Sequence, residues 1–433
     1  MNRRRFLFAP AALLVFCTGP LAGQELPKAK RPEDAGFSSE RLARLTQAFQ
    51  GRVDQGGIPG AVLLVARDGK IVYLQAVGYQ DREKKLAMKP DAIFRIASMS
   101  KPITSVAVMM LVEEGKLDLL APVSQYLPEF KDVKVGVEKV DPGTGKPALT
   151  LENVQHPMTV QDLLRHTSGL VYGPFGNTLV HQEYNKANLF DNGQTLAEFI
   201  TKLTKLPLAH QPGTAWEYGM STDVLGRIVE VVSAMPFDQF VEQRITKPLG
   251  MHDTGFYVNS AQAPRVAEPQ VDPATGQRPQ HASVEDLTKE KVKWFSGGGG
   301  MLSTASDYAR FCQMLLNGGE LNGVRLLSPK TVALMSTDQL PRDLPVFGGF
   351  EDLSPGSEVG QGFGFGFAVR TRLGPNPANG SVGDYFWAGA YGTYFWIDPQ
   401  EKLYAIEMIQ MPFPLAGYYR RAMRDVVYGA LLH

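Results

Sequence analysis

The sequence has very little cysteine and no excess of charge of either sign. It contains two cysteines, and 44 Lys and Arg residues balance 44 Asp and Glu residues. A chain without a basic excess has no broad electrostatic footprint for nucleic acid, and we expect no nucleic-acid partner. The 433 residues include 44% apolar and 20% charged side chains, which is typical of a globular protein large enough for two packed regions.

Long apolar runs are also scarce, and the one at the amino terminus is short. Arg3–Arg5 precede an apolar core over residues 6–17, and small residues follow at 20–23. This is the layout of a secretory signal peptide, and the arginines also fit a twin-arginine export signal. The apolar core is too short to span a membrane. We therefore predict a signal peptide over residues 1–23, an exported protein that is periplasmic or secreted, and no stable membrane anchor after cleavage.

Removal of this peptide takes away Cys17 and leaves Cys312 as the single cysteine. The mature chain, residues 24–433, can then form no intramolecular disulfide, and a domain of this size does not need one. Cys312 lies within the amphipathic pattern Tyr308–Leu316, so we predict that its side chain is buried and unreactive.

Hydrophobic periodicity places strands near both ends of the chain and helices in between. A helix over residues 41–52 and a hairpin of two strands, 60–66 and 70–78, come first. The other predicted elements are helices at 98–114, 159–165, 196–204, 222–233, 237–245 and 418–432, strands at 363–371, 384–387, 393–398 and 402–411, and loops at 141–145 and 264–280.

The economical packing of these elements is an α/β (α+β) fold with two regions. The terminal strands pair into one antiparallel sheet flanked by the amino- and carboxy-terminal helices, and the middle of the chain forms an all-helical subdomain. The sheet region takes about residues 37–97 and 360–433, and the helical region about residues 98–330. A cleft between two such regions is a usual place for an active site.

Ser98 and Lys101 are three residues apart at the start of the helix predicted over 98–114, so their side chains share one face. A serine hydroxyl needs a neighbouring base to act as a nucleophile, and a desolvated lysine can have its pKa lowered enough to serve. The helix N-terminus favours negative charge near the serine. This spacing also occurs by chance on solvated helix faces, but flanking residues such as Ile96, Met99 and Ile103 are too apolar for a surface helix.

Ser98-Met99-Ser100-Lys101 resembles the nucleophile motif of the serine β-lactamase and penicillin-binding-protein superfamily. The resemblance is closest to class C β-lactamases and family VIII carboxylesterases, and it extends from about residue 37 to the carboxy terminus. The other matching segments, in the family's order, are Leu163–Leu170, Pro212–Tyr218, Val224–Gly226, Gly297–Thr304 and Trp387–Gly392. The resemblance implies a β-lactamase/transpeptidase-like fold.

The resemblance also implies the site residues. Ser98 would form the acyl-enzyme, and Lys101 would share proton transfer with Tyr218, whose pKa the lysine charge would keep low. The backbone N–H groups of Ser98 and Ala390 would form the oxyanion hole, the second on a sheet-edge strand. Gly389 would be small so that substrate can approach the backbone closely.

Two departures from the family pattern point to the substrate. Penicillin-recognising members carry Lys-Thr-Gly where this chain has Trp387-Ala388-Gly389, and an asparagine where it has Met220. The family's lysine helps to bind the substrate carboxylate, and tryptophan cannot supply that charge. We therefore predict Trp387, Gly389 and Met220 as substrate-binding residues and a carboxylesterase acting on short, uncharged acyl esters.

Alternative functions are a β-lactamase, a D-alanyl peptide hydrolase or amidase, an acyltransferase, and a non-catalytic penicillin-binding-like protein. The expected partner is a small ester or amide substrate. No Gly-x-Ser-x-Gly elbow is present, which argues against an α/β-hydrolase. The seven histidines show no metal-ligand spacing and the glycines at 297–300 lack a phosphate-loop lysine, so we expect no metal and no cofactor. His166 is predicted to be structural, and the glycines to form a tight turn beside a helix over 305–316.

Overall fold

Strands near both ends of the chain and helices in the middle make up the structure. The computed structural model describes residues 25–271, 276, 283–348, 352–411 and 416–433, and the predicted signal peptide lies outside them. The strands are β1 Gly60–Arg67, β2 Lys70–Asp81, β3 Leu86–Ala87, β4 Phe94–Arg95, β5 Lys134–Val140, β6 Pro147–Asn153, β7 Trp216–Glu217, β8 Leu302–Ser303, β9 Glu320–Leu321, β10 Val324–Arg325, β11 Val346–Phe347, β12 Gln361–Phe363, β13 Ala368–Arg370, β14 Tyr385–Ala388, β15 Tyr394–Asp398 and β16 Leu403–Ile409. The α-helices are α1 Ser39–Asp54, α2 Ser100–Glu113, α3 Val123–Tyr126, α4 Val160–Leu164, α5 Leu179–Lys186, α6 Leu196–Leu203, α7 Ser221–Ser233, α8 Phe237–Val241, α9 Lys247–Leu249, α10 Ala305–Leu316, α11 Pro329–Met335 and α12 Ala416–Gly429.

One antiparallel sheet joins the two ends of the chain. Its eight strands run in the order β12-β13-β14-β15-β16-β1-β2-β3. β1 pairs with β2 on one side and with β16 on the other, where Leu64 lies opposite Ile406. Residues 61–66 of β1 are fully buried, which requires cover on both faces of the sheet.

Helices cover both faces of this sheet. Neighbouring residues of β15 point in opposite directions: the Phe395 ring lies 5.0 Å from Tyr308 in α10, whereas the Trp396 ring lies 6.1 Å from Tyr428 in α12. α1 packs beside α12. The predicted sheet with flanking terminal helices is therefore confirmed, and α10 from the middle of the chain covers the other face.

The helices predicted in the middle of the chain are present within about a turn of their expected bounds, but the region is not all-helical, because the strands β5 to β10 also lie in it. β5 and β6 form a hairpin over Lys134–Asn153, and residues 141–145, predicted as a loop, make its turn. Asp141 accepts hydrogen bonds from the backbone N–H groups of Gly143 and Thr144, which explains why this polar segment reverses the chain.

The single strand predicted over residues 363–371 is two antiparallel strands, β12 and β13. The chain reverses where the Gly364 N–H donates to the Phe367 carbonyl at 2.8 Å. Gly366 has a φ of 93°, and a Cβ on it would lie 2.4 Å from the Ser105 hydroxyl. Gly366 thus lets the reversal pack against α2, and Gly364 lets it pack against α11, where an added Cβ would lie 2.0 Å from the Met335 carbonyl oxygen.

Two further findings concern the burial of Cys312 and the length of the apolar helices. Cys312 is fully buried in α10, and burial raises the pKa of its thiol, as expected for an unreactive side chain. Among the helices in the described part of the chain, none is both long and apolar enough to cross a bilayer.

Candidate active site

Ser98 lies in a tight turn that leads into α2. The 3-10 helix Ala97–Met99 precedes α2, so the α-helix itself begins at Ser100 rather than at Ser98. Ala97 has a φ of 44°, in the left-handed region that is strained for a residue with a Cβ. The Ser100 hydroxyl accepts a 3.1 Å hydrogen bond from the Met301 N–H and fixes the turn. Such strain is maintained only where the surroundings hold it, and functional sites are common examples.

Lys101 is completely buried beside Ser98. Its ammonium nitrogen, Nζ, lies 3.2 Å from Ser98 Oγ, 3.1 Å from the Tyr172 hydroxyl and 2.7 Å from the Gly298 carbonyl oxygen. Burial lowers the Lys101 pKa to about 7, and the charge of Asp223 opposes this change. Near neutral pH a substantial fraction of Lys101 is therefore an uncharged amine within reach of the serine hydroxyl.

Tyr218 completes this arrangement, directly after β7. Its ring centre lies 4.5 Å from Lys101 Nζ, and its hydroxyl interacts with the side chains of Ser98 and Trp387. The expectation that charge proximity keeps its pKa low is wrong. Burial raises the Tyr218 pKa, and the interactions with Ser98 and Trp387 only partly oppose this rise. Tyr218 is thus a neutral phenol that can pass a proton on.

Ala390 lies in the turn between β14 and β15 and is exposed, so its predicted position on a sheet-edge strand is wrong. The preceding residue explains the close approach of this turn. A Cβ on Gly389 would lie 2.3 Å from the Ile96 carbonyl oxygen and 2.2 Å from Thr393 Oγ1. Gly389 is therefore needed for packing against the chain that leads into Ser98. Its predicted substrate contact and the oxyanion role of Ala390 stay predictions.

Trp387 and Met220 are both buried near Tyr218. Trp387 is 1% exposed, and its ring lies 5.3 Å from that of Tyr218 and 5.3 Å from that of Phe363. Met220 is fully buried at the start of α7. Trp387 thus packs against the ring of Tyr218, and the predicted substrate contacts of Trp387 and Met220 stay predictions.

His166 lies close to the site but carries no charge near neutral pH. Its ring is 4.9 Å from Tyr218, and burial, with a smaller effect of Lys101, lowers its pKa far below the usual range. The residue has a φ of 58°, so it also holds an unusual turn after α4. This agrees with the structural role predicted for it.

Three groups in the site are missed by sequence reasoning: the Tyr172 hydroxyl, the Gly298 carbonyl and the Asp223 carboxylate. Asp223 accepts hydrogen bonds from the Ser296 hydroxyl at 2.5 Å and the Gly298 N–H at 3.2 Å. The sequence signal that could have identified Asp223 is a carboxylate directly before the apolar segment Val224–Gly226. The glycines at 297–300 are expected to form only a tight turn, but they bring a backbone carbonyl to Lys101.

Aromatic rings lead from the site towards solvent. The Phe190 ring stacks on Tyr172 at 6.1 Å, and Phe175 lies 5.5 Å from Tyr172 and 6.2 Å from Tyr218. Phe190 is 50% exposed and Phe175 39% exposed. Large apolar side chains exposed beside a buried polar cluster are typical of a binding surface for an apolar group.

Comparison with known proteins assigns the chain to a family. A sequence model of the Beta-lactamase family matches residues 45–428. The chain belongs to this family. Esterase EstB from Burkholderia gladioli is 31% identical over 416 residues, which cover 89% of this chain and 95% of the esterase. Together with the matching hydrolase structures, this makes the protein a serine hydrolase of the family.

Solved structures of relatives share the fold. EstCE1, described as a hydrolase with promiscuous acyltransferase activity, is 28% identical with a TM-score of 0.71, over 90% of this chain and 99% of the other. Simvastatin synthase LovD from Aspergillus terreus has a TM-score of 0.75 at 24% identity, over 90% and 99% of the two chains. The β-lactamase/transpeptidase-like fold predicted from the sequence is thus confirmed. In the described ranges, no three His, Cys, Asp or Glu side chains are grouped so that they could hold a metal ion.

Proposed function

We propose that the protein is a carboxylesterase that cleaves short acyl esters through an acyl-enzyme on Ser98. The observation that carries this proposal is the position of Lys101, fully buried with Nζ 3.2 Å from Ser98 Oγ and with a pKa of about 7. A general base works best when its pKa lies near the working pH, because it is then both available and basic enough.

In the acylation step, Lys101 takes the Ser98 proton as Oγ bonds to the ester carbonyl carbon. The N–H groups of Ser98 and Ala390 face the oxygen that gains negative charge, as the family resemblance implies. Tyr218, a neutral phenol, donates its proton to the departing alkoxide and is reprotonated by Lys101. Water then attacks the acyl-enzyme, with Lys101 and Tyr218 again accepting and returning the proton.

An uncharged substrate is supported by the surroundings of the site. Trp387 stands where penicillin-recognising relatives have a lysine for the substrate carboxylate, and Met220 replaces their amide side chain. The exposed rings of Phe175 and Phe190 extend this apolar character towards solvent. A carboxylate on the substrate would lose its hydration here without the lysine that those relatives carry at the position of Trp387.

The test compares wild type with Ser98→Ala on p-nitrophenyl butyrate and on nitrocefin, a chromogenic β-lactam. We expect rapid ester cleavage by wild type, slow nitrocefin cleavage, and neither in the variant. Ser105→Ala is the matched control, because Ser105 is a buried serine on the same helix but outside the site. Ester turnover that survives in Ser98→Ala contradicts the proposal, and nitrocefin turnover faster than ester turnover indicates a β-lactamase instead.

A further inference from the structure

The peptide groups on either side of the Gly298 Cα connect two buried charged groups. The Gly298 carbonyl oxygen accepts a 2.7 Å hydrogen bond from Lys101 Nζ, and the Gly298 N–H donates a 3.2 Å hydrogen bond to Asp223 Oδ1. The glycine therefore presents a negative dipole end to the lysine and a positive dipole end to the carboxylate. Both charged groups are nearly inaccessible to water, Lys101 at 0% and Asp223 at 1% exposure.

Asp223 is held in this position by several contacts. It lies in the first turn of α7, where the helix dipole favours a negative charge. The Ser296 hydroxyl donates a 2.5 Å hydrogen bond to the same oxygen, Oδ1, that the Gly298 N–H contacts. A Cβ on Gly298 would lie 2.4 Å from Asp223 Oδ2, so no larger residue fits between the carboxylate and the lysine.

The other titratable groups around Lys101 are neutral near pH 7. Burial raises the pKa values of Tyr172 and Tyr218 and lowers that of His166. Burial raises the pKa of the Asp223 carboxyl, but the charge of Lys101 and the hydrogen bonds from the Ser296 hydroxyl and the Gly298 N–H oppose this rise and favour the carboxylate. Within the described residues, Asp223 is thus the anion that faces the lysine.

We infer that Asp223 is a positioning residue, which acts through Gly298 to hold Lys101 beside Ser98 and to stabilise the ammonium group that forms during catalysis. The inference rests on the proposed roles of Ser98 and Lys101. When the Oγ–H bond of Ser98 breaks, an N–H bond forms on Lys101, and the oxygen electron pair forms the bond to the acyl carbon. Lys101 becomes positive in this step, and a nearby preorganised anion in a buried site favours the change.

Asp223 does not exchange a proton in this scheme. Its side chain accepts hydrogen bonds from the Ser296 hydroxyl and the Gly298 N–H, and Lys101 contacts the opposite, carbonyl side of the glycine. Its effect is therefore electrostatic and orientational. An amide in its place would keep an acceptor for the two donors but would remove the charge.

The test measures how fast a fluorophosphonate labels Ser98 as a function of pH, in wild type, Asp223→Asn and Asp238→Asn. Labelling forms a bond from Oγ to phosphorus as fluoride leaves, so it reports serine activation without knowledge of the natural ester. Asp238 is the matched control, a buried aspartate in the first turn of the neighbouring helix α8, outside the site.

We expect the plateau labelling rate of Asp223→Asn to fall on the order of tenfold or more, because an electrostatic contact to the reacting groups is lost. We also expect its pH midpoint to move below the wild-type value, because removal of the anion makes the ammonium form of Lys101 less stable. A purely structural role would lower the rate or the melting temperature without moving the midpoint. The inference is overturned if the labelling rate and the midpoint are both unchanged, or if the rate falls without a shift of the midpoint.

A second variant covers the case in which Asp223→Asn fails to fold. Ser296→Ala keeps the Asp223 side chain but removes a hydrogen bond that lowers its pKa, so a smaller fraction of the carboxyl is ionised. We expect a smaller shift of the midpoint in the same direction, and no shift overturns the inference. If Ser98→Ala protein is labelled as fast as wild type, the proposed nucleophile is wrong instead, so the two failures are distinct.

Discussion

The Thr393 hydroxyl donates a 3.1 Å hydrogen bond to the Ile96 carbonyl oxygen and ties the turn after β14 to the chain that enters Ser98. Gly389, in the same turn, would place a Cβ 2.3 Å from that oxygen. We predict that Gly389→Ala pushes the turn away from Ser98 and lowers kcat/KM for p-nitrophenyl butyrate by about 100-fold, the cost of roughly an ångström of misplacement. Gly255→Ala is the control, because a Cβ added there would meet nothing within 4 Å. Equal activity of the two variants would contradict the prediction.

The pH dependence of ester hydrolysis follows from Lys101. Its pKa of about 7 lies far below that of an exposed lysine, and the neutral amine is the form that accepts a proton. We predict that kcat/KM rises with pH through a midpoint near 7 and then levels off. Measurement with a neutral ester from about pH 5.5 to 8.5 brackets this midpoint. In Lys101→Met, kcat/KM should not rise with pH through this range. A profile that falls with pH in this range would exclude Lys101 as the base.

Stability should depend on the same group. The folded-state pKa of Lys101 is about 7, whereas an unfolded chain has a lysine pKa of about 10.4. Between these values the unfolded state binds more protons than the folded state. The free energy of unfolding of the wild type therefore increases as pH rises above about 7 and decreases as pH falls towards 7. We predict that the melting temperature of wild type relative to Lys101→Met is lowest near pH 7 and increases towards about pH 9.5. A difference that is constant with pH would disprove a depressed pKa.

Phe190 should select the alcohol part of the ester, because it leads outward from Tyr172 beside the proton donor for the leaving group. We predict that Phe190→Ala lowers kcat/KM for phenyl acetate about 2- to 10-fold, the effect of one aromatic contact, and leaves methyl acetate unchanged. Both esters give the same acyl-enzyme, so hydrolysis of that intermediate cannot cause a difference. Phe347→Ala is the control, an exposed ring that stacks on His210 instead. Equal losses with both esters would refute a leaving-group role.

Local geometry alone predicts only part of the site. Three residues of separation at the start of a helix suffice to bring Lys101 to Ser98, whereas the place of Tyr218 beside them is implied by the family resemblance. The Gly298 contact cannot be predicted in this way, because a backbone carbonyl carries no side-chain signature. The prediction for the Tyr218 pKa is wrong for a related reason: burial depends on packing by distant segments such as Trp387 and Phe363.

The errors in the fold prediction have similar causes. In β5, Val135 and Val137 alternate with polar or small residues only from Lys134 to Glu138, a period that is short beside the helical patterns around it. The division of residues 363–371 into two strands depends on contacts of Gly364 and Gly366 with residues far away in the chain. The long, strongly patterned elements at both ends are predictable because their periodicity needs no such partner.

The pairing of β1 with β16 has a consequence for synthesis of the chain. β1 is made early, but its partner strand at Leu403–Ile409 is among the last segments to be translated. At about 5–20 residues per second, tens of seconds pass during which the largely apolar strand β1 has β2 on one side but lacks β16 on the other. A nascent chain must therefore be shielded from aggregation until translation is nearly finished, and a chain terminated before residue 403 would keep the edge of β1 permanently open.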